Sequence, residues 1–340
     1  MQSNSSLNEL RSYSQKYLND WENKSTIRTQ KRSRSSQRLL LKLDFSVSLK
    51  PYAHLPEIKA LKKKQLRAFY LQSYCDLLYG VANFEVNFVT DQCGKLANQD
   101  LGIELSDSVK QVAIAIGIDE MYHAFVAREL LSDLKTLAGI TPTFASKPVM
   151  LKKTTTTSTM KKSEVLLMPL EYFKNAVPPK LQRIAETTLL CILENALVDD
   201  FIEMAKHART DNPADVYARE HLHDESRHKV FFQHLLKYIW SAISEKNRVV
   251  LGRAIAGYFV KYMTPNEEQL TAFHRRTLEH LGLPVELCQS IANKLSEQEC
   301  KKQLHELEFI KNPMRLMKVA GVSDHPATRR LFIRKHLLAI

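Results

Sequence analysis

The chain is poor in what a sheet protein needs. It has only nine glycines in 340 residues. Runs of alternating Val, Ile or Thr bounded by turn residues are almost missing, which argues against a sheet architecture. Cysteine is scarce as well. Positions 75, 93, 191, 288 and 300 show no CxxC and no regular spacing, and they read as reduced core residues of a cytosolic protein. No apolar run reaches the roughly 18–20 residues that span a bilayer, and the polar start MQSNSSLNELRSYSQ lacks the apolar region of a signal peptide. The expectation is an all-α, cytoplasmic protein with no membrane partner. One four-helix core with flanking N- and C-terminal helices is enough to use most of its length.

Against that background the stretch HLHDESRHKVFF, residues 221–232, is rich in ionisable groups. On a helix His221, Glu225 and His228 share one narrow face, while His223 and Asp224 point elsewhere. Leu235 continues that face, so it is expected to look inward. Two imidazoles and a carboxylate buried there would cost several kcal/mol on the order of any unsatisfied buried polar group, unless a metal offsets it. A solvated, His-rich helix face is the plain alternative for one such copy. There is a second: IDEMYHAF sets Asp119, Glu120 and His123 in the arrangement of Asp224, Glu225 and His228. Each ExxH presents a carboxylate and an imidazole one turn apart, able to reach one metal, so two facing helices would hold two.

A dinuclear carboxylate site in a bundle also takes one Glu from each of two further helices. The apolar stretch 66–91 offers Glu85, and 180–208 has Glu194 in an equally apolar setting. Glu186 and Glu203 are the rivals in the second stretch. At 100° per residue they lie about 80° and about 180° from Glu194, away from the core face shared with Leu190, Cys191 and Leu197. Either lone Glu would otherwise be a buried acid paired with Lys or Arg.

The order Glu85, Glu120, His123, Glu194, His221, Glu225 and His228 resembles that of the ferritin-like diiron N-oxygenases of the p-aminobenzoate N-oxygenase type. The extra histidine before the second ExxH distinguishes that family, and His221 supplies it. The intervals of 35 residues from Glu85 to Glu120, 27 from Glu194 to His221 and 4 from His221 to Glu225 are also similar. The resemblance covers roughly residues 60–300 and departs between His123 and Glu194, where this chain is longer. It implies a ferritin-like four-helix bundle with two iron ions held by those seven residues. It further implies dioxygen as co-substrate, an external electron donor, and oxidation of a primary amine to hydroxylamine, nitroso or nitro product. The amine is small, either free or tethered to a carrier protein. A diiron oxidase acting on carbon and a non-enzymatic iron-binding bundle remain the other readings.

Asp119 and Asp224 each precede a ligand Glu. An acid at that offset can accept the free N–H of a histidine ligand on a neighbouring helix, and Arg227 can pair with one of the two. Exposed helix acids are the alternative. Tyr79, Tyr122 and Tyr217 are candidates to line the pocket.

The net charge of +12 is concentrated upstream: residues 1–70 hold 15 Lys and Arg against 5 Asp and Glu. The patches Arg28, Lys31, Arg32, Arg34, Arg38 and Lys59, Lys62, Lys63, Lys64, Arg67 suit a solvated extension or an acidic partner or anionic substrate. Nucleic acid ranks last, for want of interleaved aromatics. Residues 1–56 are thus expected to be a basic extension, with the core beginning near Leu66 and iron content insensitive to loss of residues 1–40. Residues 57–340 would form one domain with a low-complexity loop at 146–164. Further helices are expected near 245–262, 266–281, 284–307 and 313–338, with Pro265, Gly282–Pro284 and Pro313 as breaks. His274, His280 and His305 look paired with surface acids, and this region is assigned to packing or homodimer formation.

Overall fold

Helices start and stop where the sequence supplies the means. Asn212 accepts a hydrogen bond from the Ala214 amide, and Pro213 opens the helix Pro213–Ala242 behind it. Ser244 caps Glu245–Tyr262 in the same manner. Gly139, at φ 66°, ends Asp107–Ala138 in the left-handed conformation that glycine adopts without strain. The computed structural model describes residues 2–29, 37–143, 162–196, 202, 204–206 and 211–339, and no strand occurs among them.

In chain order the helices are α1 (Gln2–Lys24), the turn α2 (Thr26–Thr29), the turn α3 (Pro56–Lys59), α4 (Lys63–Phe84), α5 (Thr90–Asn98) and α6 (Asp107–Ala138). They continue as α7 (Lys162–Ala176), α8 (Gln182–Ala196), α9 (Pro213–Ala242), α10 (Glu245–Tyr262), α11 (Glu267–His280), α12 (Val285–Cys300), α13 (Glu308–Val319) and α14 (Pro326–Arg334). None of the described helices is long and apolar enough to cross a membrane.

Of three apolar clusters among the described residues, two lie along these helices with a layer of ionisable residues between them, and a smaller one joins Tyr52, Ile58 and Phe69 to Leu278 and Leu281. Leu71, Tyr74 and Leu78 of α4, Ala127 and Leu130 of α6 and Ala214 and Ala218 of α9 belong to one. Phe88, Ile116, Leu193 and Phe231 belong to the other. Along α4 and α9 the chain passes from the first core to the second, and along α6 it passes the opposite way. In all three the acids and histidines sit at the crossover.

Several expectations need correcting. The N-terminal segment is not a detached basic extension. Leu10, Ser14, Tyr17, Ser25 and Thr26 are buried, because α1 carries an apolar face that packs on α6 and α9. Leu40, Leu43, Phe45, Tyr52 and Ile58 are buried too, so the core begins long before Leu66. The exposed side chains Lys59, Lys62, Lys63, Lys64 and Arg67 do form a patch at the start of α4, whereas Lys31, Arg32 and Arg34 lie outside the described residues. So do Glu203 and all but the last three residues of the 146–164 loop; 162–164 begin α7.

Pro313 does not break the chain. It sits inside α13, and the interruption falls at Gly321, φ 76°. The expected 284–307 helix stops at Cys300. His274 is buried rather than paired with a surface acid, its Nδ1 lying 2.8 Å from the Tyr52 hydroxyl. The five cysteines are free, four of them buried.

Candidate metal centre

Glu85 reaches the layer from an irregular point. The expected continuous helix over 66–91 is interrupted by one π-helical turn, Glu85–Val89, between α4 and α5. A π turn holds one more residue than an α turn and commonly marks a functional position. Glu120 and His123 come from α6, Glu194 from α8, and His221, Glu225 and His228 from α9. All seven are buried.

The structure brings these seven side chains together as two adjoining groups, Glu85, His123 and His221 in one and Glu120, Glu194, Glu225 and His228 in the other. In each group the potential ligand atoms lie within 4.8 Å of one another. Glu225 and His228 of one ExxH fall in the same group, whereas Glu120 and His123 of the other fall in different groups. Glu225 lies at the boundary: its Oε1 is 3.5 Å from His221 Nε2, 3.8 Å from His123 Nδ1 and 3.4 Å from His228 Nδ1. Glu120 is similarly placed, with Oε2 3.7 Å from His123 Nδ1 and Oε1 2.8 Å from His228 Nδ1.

A buried polar atom normally has a hydrogen-bond partner. Glu85 Oε2, Glu120 Oε1, Glu194 Oε2, His123 Nδ1 and His228 Nδ1 have none, and all five face the cluster. His228 Nδ1 lies 2.8 Å from Glu120 Oε1 without hydrogen-bond geometry. Four carboxylates and three imidazoles thus form a donor set suited to divalent transition metals.

The outer nitrogens explain why Nδ1 points inward. His123 Nε2 donates to Asp224 Oδ2 at 3.1 Å, and His228 Nε2 donates to Asp119 Oδ2 at 3.3 Å. The support is crossed: the aspartate of α9 orients the histidine of α6, and the aspartate of α6 orients that of α9. In the neutral imidazole each bond keeps the proton on Nε2 and turns Nδ1 toward the carboxylates. Arg227 pairs with Asp224 and lies 3.7 Å from Asp119. Asp119 and Asp224 thus each face a histidine of the other helix, and Arg227 lies against both aspartates. His221 is held the other way round, its Nδ1 3.2 Å from the Tyr217 hydroxyl and its Nε2 3.4 Å from Glu85 Oε1. Its ring stacks on that of His123 with centroids 4.3 Å apart.

Charge states follow from this crowding. Burial, then the charge of Glu120, holds Glu85 and Glu194 well above the usual carboxylate range. Burial, again with Glu120, moves Glu225 to about 7. Glu120 itself is lowered: burial opposes ionisation, but His123 and His228 outweigh it. Burial likewise opposes charge on His123 and His228, yet both are raised, His123 by Asp224 and Glu120, His228 by Tyr17, Asp119 and Glu120. His221, buried and beside His123, is lowered well below the ordinary imidazole value.

The remaining candidates fall outside the cluster. Of the three tyrosines only Tyr217 reaches it. Tyr79 lies beneath the Arg128 guanidinium, 5.4 Å from ring centroid to carbon, and Tyr122 is half-buried in the first core. Glu186 is buried but bonded to Arg183, Nη1 to Oε2 2.5 Å. His223 is exposed and meets the Lys24 carbonyl at 2.9 Å.

Sequence reasoning missed the N-terminal contribution. Tyr17, Trp21 and Ser25 donate to Asp119 at 3.2, 3.0 and 2.5 Å, and the Thr26 amide donates to Asp224 at 3.2 Å. The helical spacing of Leu10, Ser14, Tyr17 and Trp21 was the available signal, masked by the basic residues between. Replacing Asp224 with Asn keeps the shape but weakens the acceptor. Affinity for a divalent transition metal is then expected to fall by about 10–100-fold, read by competition with a chromophoric chelator; unchanged affinity would leave Asp224 a packing residue.

No protein-family model matches the chain, and a search of curated proteins finds no match to it.

Proposed function

We propose that the chain is a non-haem diiron monooxygenase that uses dioxygen to oxidise the nitrogen of a primary amine. What carries this reading is His221, a third imidazole aimed at an otherwise symmetrical set of four glutamates and two histidines. The crossover of α4, α6 and α9 between two cores, with Glu194 from α8, supports reading the helices as a ferritin-like four-helix bundle. Four glutamates offset the charge of two ferrous ions. When bound, such a pair supplies the reduction of dioxygen that the reaction needs. In the overall balance, amine, dioxygen, two electrons and two protons give hydroxylamine and water, and the electrons come from an external donor.

The side chains have separate tasks. Glu85, His123 and His221 would hold one ion and Glu194 and His228 the other, with Glu120 and Glu225 at the boundary between the two groups. Asp119 and Asp224 keep the Nε2 protons of His228 and His123, and Tyr217 keeps His221 in the tautomer whose Nε2 faces the cluster. The two apolar cores exclude water on either side.

Anaerobic loading with ferrous iron is expected to give close to two irons per chain. Mass spectrometry after admission of dioxygen, with a panel of arylamines, amino acids and carrier-bound aminoacyl groups, is expected to show nitrogen-oxidised product. One iron per chain, or zinc binding without oxygen reactivity, would refute the dinuclear reading. Oxidation confined to carbon would refute the N-oxygenase reading alone.

His221→Ala is expected to remain folded and to retain iron on the six other ligands while product formation is lost or redirected. His223→Ala, on the opposite side of the helix, should leave both unchanged. Equal effects of the two substitutions would show that the third imidazole has no special part.

A further inference from the structure

The two aspartates behind His123 and His228 are held by different chemistry. Asp224 takes the Thr26 amide and Arg227. Asp119 takes the indole N–H of Trp21 at 3.0 Å, the Tyr17 phenol at 3.2 Å and the Ser25 hydroxyl at 2.5 Å. Aromatic donors thus stand on the Asp119 side alone. Satisfying that carboxylate does not call for an indole. An ionised carboxylate has about four acceptor sites, and His228, Tyr17 and Ser25 fill three of them without it. Tryptophan is also scarce, since the chain holds only Trp21 and Trp240.

Trp21 Nε1 lies 3.1 Å from Asp119 Oδ2, and the same oxygen meets His228 Nε2 at 3.3 Å. Two hydrogen bonds therefore join the indole to a histidine of the cluster. The ring is half-buried, so solvent reaches part of it. The Arg28 guanidinium lies 5.3 Å from its centroid and is itself paired with Glu22.

We propose that Trp21 is an outlet for oxidising equivalents. When dioxygen has reacted at the centre and no amine is bound, the indole gives up an electron by way of Asp119 and His228 and is refilled at the surface. This rests on reading the cluster as a dioxygen-activating iron centre. One oxygen atom leaves as water with or without amine. The other is normally inserted at nitrogen, which takes two electrons from the amine. Without amine, two electrons drawn singly from Trp21, with two protons from solvent, reduce it to a second water. Each indole cation is reduced by a one-electron donor in solution, such as ascorbate or a thiol. Tyr17 suits the task less well: a phenol must shed its proton to be oxidised, and Tyr17 is buried. An indole keeps its N–H. The carboxylate at 3.0 Å favours the indole cation, and the opposing charge of Arg28 is farther away and offset by Glu22.

Freeze-quench electron paramagnetic resonance tests the outlet. Protein loaded anaerobically with ferrous iron is mixed with dioxygen in the absence of amine and reductant. A tryptophan radical is expected in the intact chain and in Trp240→Phe, and ascorbate is expected to abolish it. Trp21→Phe is expected to lose it. That substitution also removes a hydrogen bond from Asp119, so a second chain keeps the bond: Trp240→Phe grown on 5-fluorotryptophan carries the analogue at position 21 alone. Its radical is expected to form more slowly and to show fluorine hyperfine splitting, neither of which follows if the ring only positions Asp119. Iron-loaded protein that consumes dioxygen without a tryptophan radical, a radical that survives Trp21→Phe, or one without fluorine splitting would each overturn the outlet while leaving the reading of the centre intact. A chain that takes up no iron, or whose iron does not react with dioxygen, would overturn both.

Discussion

Removing residues 1–29 is expected to lower the melting temperature by roughly ten degrees and to strip the chain of tightly bound iron. Two losses combine. Leu10 and Tyr17 are almost wholly buried, and each such side chain is worth about 1.5–3 kcal/mol. The same deletion takes the Tyr17, Trp21 and Ser25 donors from Asp119 and the Thr26 amide from Asp224. Hydrogen bonds to a charged acceptor contribute about 1.5–3 kcal/mol each, against a total stability of roughly 5–15 kcal/mol. This reverses the expectation, drawn from charge alone, that iron content survives loss of residues 1–40. Thermal circular dichroism with parallel metal analysis is the measurement. A truncated protein with unchanged melting and two irons would show that α1 is dispensable.

Glu194→Leu should stabilise the metal-free protein by about 1–4 kcal/mol, the range seen when buried ionisable groups give way to apolar residues of similar volume. It should also reduce iron from two per chain towards one. Glu194 is buried, its Oε2 has no hydrogen-bond partner, and burial together with Glu120 and Glu225 disfavours its charge. A leucine removes that repulsion and extends the apolar core already formed by Leu189, Leu190 and Leu193. Glu186→Leu on the same helix is the control of opposite sign, because Glu186 is paired with Arg183. Melting curves in the presence of chelator separate the two. If Glu194→Leu destabilised the metal-free chain as Glu186→Leu does, the carboxylate would be a structural partner rather than a ligand held against its own preference.

The site was readable in the sequence to the extent that one helix carries its own geometry. His221, Glu225 and His228 share a face because of helical spacing alone, and the repeated ExxH placed Glu120 and His123 by the same rule. Glu85 and Glu194 were found because an acid stands out in an apolar helix. Which atoms meet between helices was not readable. Splitting Glu120 from His123 depends on how α6 and α9 are rotated against each other, and the π turn at Glu85 has no local sequence mark. The role of α1 was hidden for another reason: net charge describes the outer face of an amphipathic helix, whereas Leu10, Ser14 and Tyr17 determine where it packs.

The crossed support of the two histidines has a consequence for timing. Because Asp119 and His123 lie on one helix and Asp224 and His228 on the other, neither helix can slide by a residue without breaking both pairs at once. Unlatching one histidine therefore requires the helices to part as a unit, an opening of the kind followed by amide hydrogen exchange. Escape of an ion held as proposed would then be clocked by the separation of α6 from α9, and its rate is expected to track exchange of the amides around residues 119–123 and 224–228.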